Sequence, residues 1–129
     1  MNKILAEVSV GELLDKISIL EIKQEKIKDA ESLKFITDEY KVLKAELDKN
    51  IKTDDNLNSL FNSLKEINSK LWVIEDDKRL CEKNKDFGET FIDLARSVYV
   101  NNDKRAQIKS AINKRLGSNI KEIKQYVDY

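Results

Sequence analysis

The chain has 129 residues, enough for one domain with a real core. It contains no proline and only three glycines, a composition typical of long uninterrupted helices. A single cysteine cannot form an internal disulfide. Because there is no histidine, the chain lacks the commonest general base near neutral pH. Lys+Arg and Asp+Glu balance at 24 each, but residues 1–95 hold 16 basic and 21 acidic residues, and residues 96–129 hold 8 and 3. Such a chain can dock its own portions, pair with another copy or offer its basic portion to an anion; the acidic portion disfavours a DNA or RNA polymer.

The first half of the chain predicts two helices. Apolar residues alternate between Ile4 and Val10, which allows one short extended segment. Ser9 followed by Glu12 forms a capping-box pattern and predicts a first helix over about 9–29. Apolar residues then step by three and four through a second predicted helix over about 32–50, which begins near Ser32.

The third helix carries the strongest periodic signal. Asp54 or Asp55 can cap it, and apolar residues recur at heptad spacing over about 55–84. It would be roughly 40 Å long, more than the shorter helices predicted after it could cover. The uncovered stripe predicts a homodimer or a higher oligomer. Cys81 falls on this stripe, which indicates a buried apolar side chain rather than a reactive thiol.

Shorter basic helices are predicted within about 88–127. Asp86 and Glu89 form a second capping-box pattern, and the Asn101-Asn102-Asp103 cluster predicts a break before a fifth helix that closes at Gly117. Ser118 would begin a short final helix. The whole chain, residues 1–129, is therefore predicted to be a single all-α domain, an elongated bundle of long heptad-patterned antiparallel helices.

No sequence signal indicates export, a membrane span or a cofactor. The first residues do not resemble a signal peptide and no apolar run approaches roughly 20 residues, so a cytoplasmic protein without a membrane partner is expected. Phosphate loops, dinucleotide loops and zinc spacings are missing, so we expect no cofactor and no enzyme activity. Glu75 and Asp76 leave open a metal-assisted phosphohydrolase, although a solvated face paired with Lys78 and Arg79 explains them more simply.

The most informative segment lies between Arg96 and Asn113. Lys104 and Arg105 would occupy the first turn of the fifth helix, where cations oppose the helix dipole and an anion would be favoured. Arg105, Lys109 and Asn113 share one helical face, which suits phosphate. The alternative is a basic face that pairs with acidic residues of the first three helices.

The sequence resembles an uncharacterised family of small helical domains of unknown function found in bacteria and phages, sometimes near surface-glycan biosynthesis genes. The resemblance spans nearly the whole chain, and its main stretches are VSVGELLDK at 8–16, ILEIK at 19–23, NSKLWVIED at 68–76 and FIDLARSVY at 91–99. Paired residues at 102–103, 105–106, 108–109, 112–113 and 117–118 complete it, with Tyr126 and Tyr129. The family implies no activity, but it strengthens the interpretation of the polar residues between Arg96 and Asn113 as a site.

The leading hypothesis is a non-catalytic module that binds a small phosphorylated ligand such as a nucleotide, a cyclic nucleotide signal or a nucleotide-sugar. Arg96, Arg105 and Lys109 would contact phosphate, Asn102 and Asn113 would contact sugar or base edges, and Tyr99 or Trp72 would stack on the base. If a phage encodes the protein, it would sequester a nucleotide immune signal in the host cytoplasm. The alternative is a structural helical adaptor in surface-glycan biosynthesis.

Overall fold

The computed structural model describes residues 2–129, which form four helices: α1 (Val10–Lys26), α2 (Ala30–Asn50), α3 (Asp55–Lys83) and α4 (Glu89–Leu116). No strand occurs among these residues, so the predicted all-α fold is confirmed and the segment between Ile4 and Val10 forms none. None of the four helices is both long and apolar enough to cross a membrane.

Side-chain caps begin the first three helices. The Ser9 hydroxyl accepts a hydrogen bond from the backbone N–H of Glu12 at 3.1 Å, as the capping-box pattern predicts. Asp54 accepts from the N–H of Leu57 at 2.8 Å and begins α3. The second helix begins earlier than predicted, because Asp29 rather than Ser32 is its cap.

The region after Asp86 differs from its prediction, because one 28-residue helix, α4, replaces two shorter ones. Asn101 does not break this helix, since its Nδ2 donates to the carbonyl of Ser97 one turn earlier at 2.8 Å. Lys104 and Arg105 consequently lie in the middle of α4. No helix begins there to offer free backbone N–H groups to an anion, so the argument for an anion site from a helix start is wrong.

Both ends of α4 also correct the sequence analysis. Gly88, which makes no side-chain cap hydrogen bond, begins the helix in place of the predicted Asp86 and Glu89 capping box. Gly117 ends it as predicted, in the left-handed conformation with φ 62°. Residues 118–129 form no regular secondary structure, so the predicted helix after Ser118 is absent.

The helices pack as two antiparallel hairpins, α1 with α2 and α3 with α4, and α1 also contacts both helices of the second hairpin. Their shared core contains six buried side chains: Leu14, Ile17, Leu47, Leu57, Leu64 and Ile112. Cys81 is also buried, as predicted. Because α4 is about as long as α3 and packs along it, α4 covers much of the apolar stripe on which the predicted dimer depends, and the dimer stays a prediction.

Candidate ligand-binding site

A buried carboxylate lies between α1 and α4. Asp15 is 2% exposed, and Arg105 contacts both of its oxygens, with Nε 3.0 Å from Oδ1 and Nη2 2.5 Å from Oδ2. The hydrogen bond with Asp15 is the largest reason why the pKa of Arg105 is raised. Nη1 of Arg105 donates to Oδ1 of Asn102 at 3.3 Å. A guanidinium has five N–H donors, so two remain for another partner.

Two polar side chains complete the surroundings of Asp15. Nδ2 of Asn68 donates to Oδ1 of Asp15 and to the hydroxyl of Ser18, both at 2.8 Å. Ser18 in turn donates to the carbonyl of Asp15 at 2.7 Å. In the described part of the chain, no buried side-chain nitrogen or oxygen lacks a hydrogen-bond partner. The carboxylate is therefore held in one position by side chains of α3 and α4.

Lys109 lies among three carboxylates. Its Nζ is 2.8 Å from Glu12, 3.0 Å from Glu122 and 3.8 Å from Asp15. Burial lowers the pKa of Lys109, but the hydrogen bonds to Glu12 and Glu122 and the charge of Asp15 outweigh burial, so the pKa is raised overall. The ammonium group can therefore contact a further anion only by giving up one of these partners.

Asn113 holds the start of α1. Its Oδ1 accepts a hydrogen bond from the backbone N–H of Gly11 at 2.7 Å. A Cβ at Gly11 would lie only 2.7 Å from the backbone oxygen of Lys109, so a glycine is needed for this close approach of α1 to α4. Arg105, Lys109 and Asn113 thus share one face of α4, as predicted, but all three contact α1. The alternative hypothesis, a basic face that pairs with acidic residues of the first helices, describes the present contacts of Arg105 and Lys109 with α1.

Trp72 and Arg105 line the same groove. Its volume is about 300 Å³, its walls are largely apolar, and its other lining residues include Ile19, Ile22 and Asn68. Nδ2 of Asn68 is taken by Asp15 and Ser18, which leaves Oδ1 as the atom that can accept a hydrogen bond from a ligand. The structure therefore brings together an aromatic face, a hydrogen-bond acceptor and a guanidinium.

Arg105 also lines a second, polar pocket of about 360 Å³, together with Asn102, Lys109 and Glu12. Glu12 of this pocket and Ile19 of the Trp72 groove are seven residues apart on α1, roughly 10 Å along the helix axis. The groove and the pocket thus follow each other along α1, and the Arg105 side chain lies between them.

Arg96 and Tyr99 lie away from this site. Arg96 precedes Arg105 by nine residues in the same helix, roughly 14 Å along its axis. The nearby Tyr99 is the main reason why the pKa of Arg96 is raised. The ring of Tyr99 packs edge-on against Tyr129, with centroids 5.3 Å apart. Neither residue lines the groove or the polar pocket, so the predicted phosphate contact of Arg96 and stacking by Tyr99 do not belong to this arrangement.

Glu75, the first residue of the acidic run at the Trp72 groove, is paired with cations. Glu75 lies 3.4 Å from both Lys78 and Arg79. Among residues 2–129 no group of three or more His, Cys, Asp and Glu side chains is placed to hold a metal ion. The predicted ion-paired helical face describes the present contacts of Glu75.

Sequence reasoning missed several side chains of the site, among them Asp15, Asn68, Glu12 and Glu122. The first two carried a signal, because Asp15 lies between Leu14 and Ile17 on the apolar face of α1, and Asn68 follows Ile67 on the buried side of α3. A polar residue at such a position needs a partner. Glu122 carried no comparable signal, since its role depends on how residues 118–129 fold back onto α4.

These features define an all-α protein of two helical hairpins whose interface contains a hydrogen-bonded charge network beside an apolar groove. Residues 4–128 match the Family of unknown function (DUF6165), and the chain belongs to that family. No curated protein and no solved structure was found to match the chain. The resemblance to a family of unknown function that spans nearly the whole chain is thus confirmed.

Proposed function

We propose that this protein is a non-catalytic binding module for a small phosphorylated ligand of the nucleotide or nucleotide-sugar type. The observation that carries the proposal is the position of Arg105, which lines both the Trp72 groove and the polar pocket. A ligand with an aromatic base at one end and a phosphate at the other matches this succession of an apolar and a polar depression.

The Trp72 groove would hold the base. Ile19, Ile22 and Trp72 provide an apolar and aromatic surface, and stacking of a base on an aromatic ring contributes about 1–3 kcal/mol. Oδ1 of Asn68 can accept a hydrogen bond from an amino group on the edge of the base. These are contacts of the kind that small-molecule pockets use, with mostly apolar walls and a few oriented polar groups.

The polar pocket would hold the phosphate. Asp15 fixes the guanidinium of Arg105 from below, and the two remaining N–H donors of Arg105 are available to a ligand because its side chain is 28% exposed. Paired N–H donors on a planar guanidinium suit phosphate oxygens. Asn102, whose Oδ1 already contacts Arg105, would orient the ligand hydroxyls nearby.

The proposal assigns no reaction to the site. The carboxylates of Asp15, Glu12 and Glu122 are all engaged with Arg105 or Lys109, so a role in binding suits them better than proton transfer. Affinity without chemistry is what sequestration of a signalling nucleotide requires.

The only tryptophan of the chain, Trp72, provides a direct test. Titration with nucleoside diphosphates, cyclic dinucleotides and nucleotide-sugars should change Trp72 fluorescence and raise the melting temperature, because a ligand that binds the native state stabilises it. By calorimetry, Trp72→Leu should weaken binding of the nucleotide that responds by about tenfold, the loss of one stacking contact.

Phe87→Leu is the matched control, since it removes a half-exposed aromatic ring at the far end of the α3 and α4 hairpin. It should leave nucleotide affinity unchanged. The proposal is wrong if none of these ligands changes the fluorescence or the melting temperature, or if Trp72→Leu binds the responding nucleotide as tightly as the wild type.

An apolar strip on α2 favours a second function, a structural adaptor that binds another copy or a partner enzyme. The helix packs mainly against α1, and Phe35 and Val42, seven residues apart on one face, are mostly exposed. Light scattering should then give a mass of at least two chains, reduced to one by Phe35→Glu. A single-chain mass for the wild type at tens of micromolar would contradict self-association through α2.

A further inference from the structure

Residues 118–129, called the strap from here on, place a carboxylate between two ammonium groups. Oε2 of Glu122 is 3.0 Å from Nζ of Lys109, and its Oε1 is 3.7 Å from Nζ of Lys124. Lys109 belongs to α4 and is almost fully buried, whereas Lys124 belongs to the strap itself. A phosphate with oxygens at the same place would contact the same two cations and would carry more charge than the carboxylate.

The strap is attached on both sides of Glu122. On one side the Ser118 hydroxyl accepts a hydrogen bond from the backbone N–H of Val10 at 3.3 Å. On the other side the Tyr129 hydroxyl donates to Oδ2 of Asp103 at 2.7 Å, and the Tyr129 ring packs against Tyr99. The Glu122 side chain can therefore leave Lys109 while the strap, with Lys124, stays in place.

Little apolar packing holds the middle of the strap. Ile123 is 85% exposed and Val127 is 92% exposed, so the position of Glu122 depends mainly on its polar contacts. Such a contact can be exchanged for a stronger one without loss of a hydrophobic core. The contact with Lys109 is also the largest reason why the pKa of Glu122 is lowered, so Lys109 favours the charged form of this carboxylate.

Space is present on both sides of the carboxylate. The polar pocket of about 360 Å³ lies on the side of Asn102 and Arg105. A smaller pocket, of about 210 Å³, lies on the side of Ser110 and Lys121. Glu122, Lys109 and Lys124 line both pockets, so the glutamate side chain separates two spaces that share the same cations.

We propose that Glu122 is a placeholder for a phosphate, which displaces it and binds between Lys109 and Lys124, next to Arg105. This inference rests on the proposed function and names its phosphate subsite, which includes Glu122 and Lys124 of the strap. It also explains how Lys109, which is surrounded by three carboxylates in the free protein, takes part in binding.

The test measures binding of inorganic pyrophosphate and of the responding nucleotide by calorimetry. Glu122→Gln keeps the shape of the side chain but removes the competing charge, so both ligands should bind about tenfold more tightly. Lys124→Ala should weaken both by about tenfold, because it removes one charged contact. Melting temperatures establish that each variant is folded.

Two matched controls change the same charge elsewhere. Glu66→Gln alters an exposed residue of α3, and Lys114→Ala alters an exposed residue in the last turn of α4. Both should leave affinity within about twofold, which excludes a general effect of net charge.

The outcomes separate the inference from the function on which it rests. If the nucleotide binds and Trp72→Leu weakens it, but Glu122→Gln and Lys124→Ala bind like their controls, the placeholder role is wrong and the binding function stands. If neither the wild type nor Glu122→Gln binds any of the probes, the binding function is wrong and the placeholder role is overturned with it.

Discussion

Arg105 and Asp15, ninety residues apart in the sequence, form a two-point ion pair that ties the middle of α4 to α1. The carboxylate is buried, and the arginine is its main cationic partner. The same contact orients the guanidinium towards the groove and the pocket. Stability and the proposed binding function therefore depend on one side chain, and experiments have to distinguish the two.

Arg105→Ala should lower the free energy of unfolding by about 3 kcal/mol, because removal of one partner leaves the charge of Asp15 buried. Urea denaturation measures this change. Adding Asp15→Asn should recover part of the loss, since the uncompensated charge is then gone.

Arg79→Ala is the control for this arginine, because Arg79 is an exposed member of an ion pair within α3. Its effect should stay within about 0.5 kcal/mol. Equal stability of the Arg105→Ala and Arg79→Ala variants would contradict a buried pair between α1 and α4.

Gly11→Ala should destabilise the protein by about 1 to 3 kcal/mol, although alanine is the better helix former. The added Cβ would lie 2.7 Å from the backbone oxygen of Lys109, so α1 has to move away from α4. Thermal unfolding tests the sign of the change. A gain in stability would show that the two helices do not approach so closely.

Leu64→Ala should lower the free energy of unfolding by about 2 to 5 kcal/mol, the range for a cavity at a fully buried leucine. Leu64 is 0% exposed, whereas Leu80 of the same helix is 54% exposed. Leu80→Ala should therefore cost about 0.5 kcal/mol. Denaturant titration of both variants compares them directly, and similar losses would contradict the position of the core.

Acid should weaken the contact between the strap and Lys109. Because Lys109 lowers the pKa of Glu122 below its usual 4.5, the contact contributes stability above that value and loses it as the pH falls through the lowered pKa. The wild type should melt slightly above Glu122→Gln at neutral pH, and the difference should shrink as the pH falls from about 7 to about 3. Melting curves of both proteins measure it, and a difference that grows in acid would exclude the ion pair.

Several helix boundaries could be predicted because their causes are local. Ser9 and Asp54 cap the N–H groups three residues later, and Gly117 takes the left-handed conformation that ends a helix. The apolar spacing of α3 likewise depends on neighbours three and four residues away. The predicted break at Asn101 and Asn102 was wrong, because a polar cluster that can cap a helix can also lie within one. Both side chains have hydrogen-bond partners within α4 and do not start a new helix.

The sequence by itself determined that the protein is all-α, where most of its long helices lie, and that Arg105, Lys109 and Asn113 share one face. Only the tertiary structure decided what that face does. It places Asp15 and Glu12 of α1 against the cations and Glu122 of the strap on Lys109. The physical reason is distance along the chain: the periodicity of a helix fixes which residues share a face, but it carries no information on which distant carboxylate neutralises them.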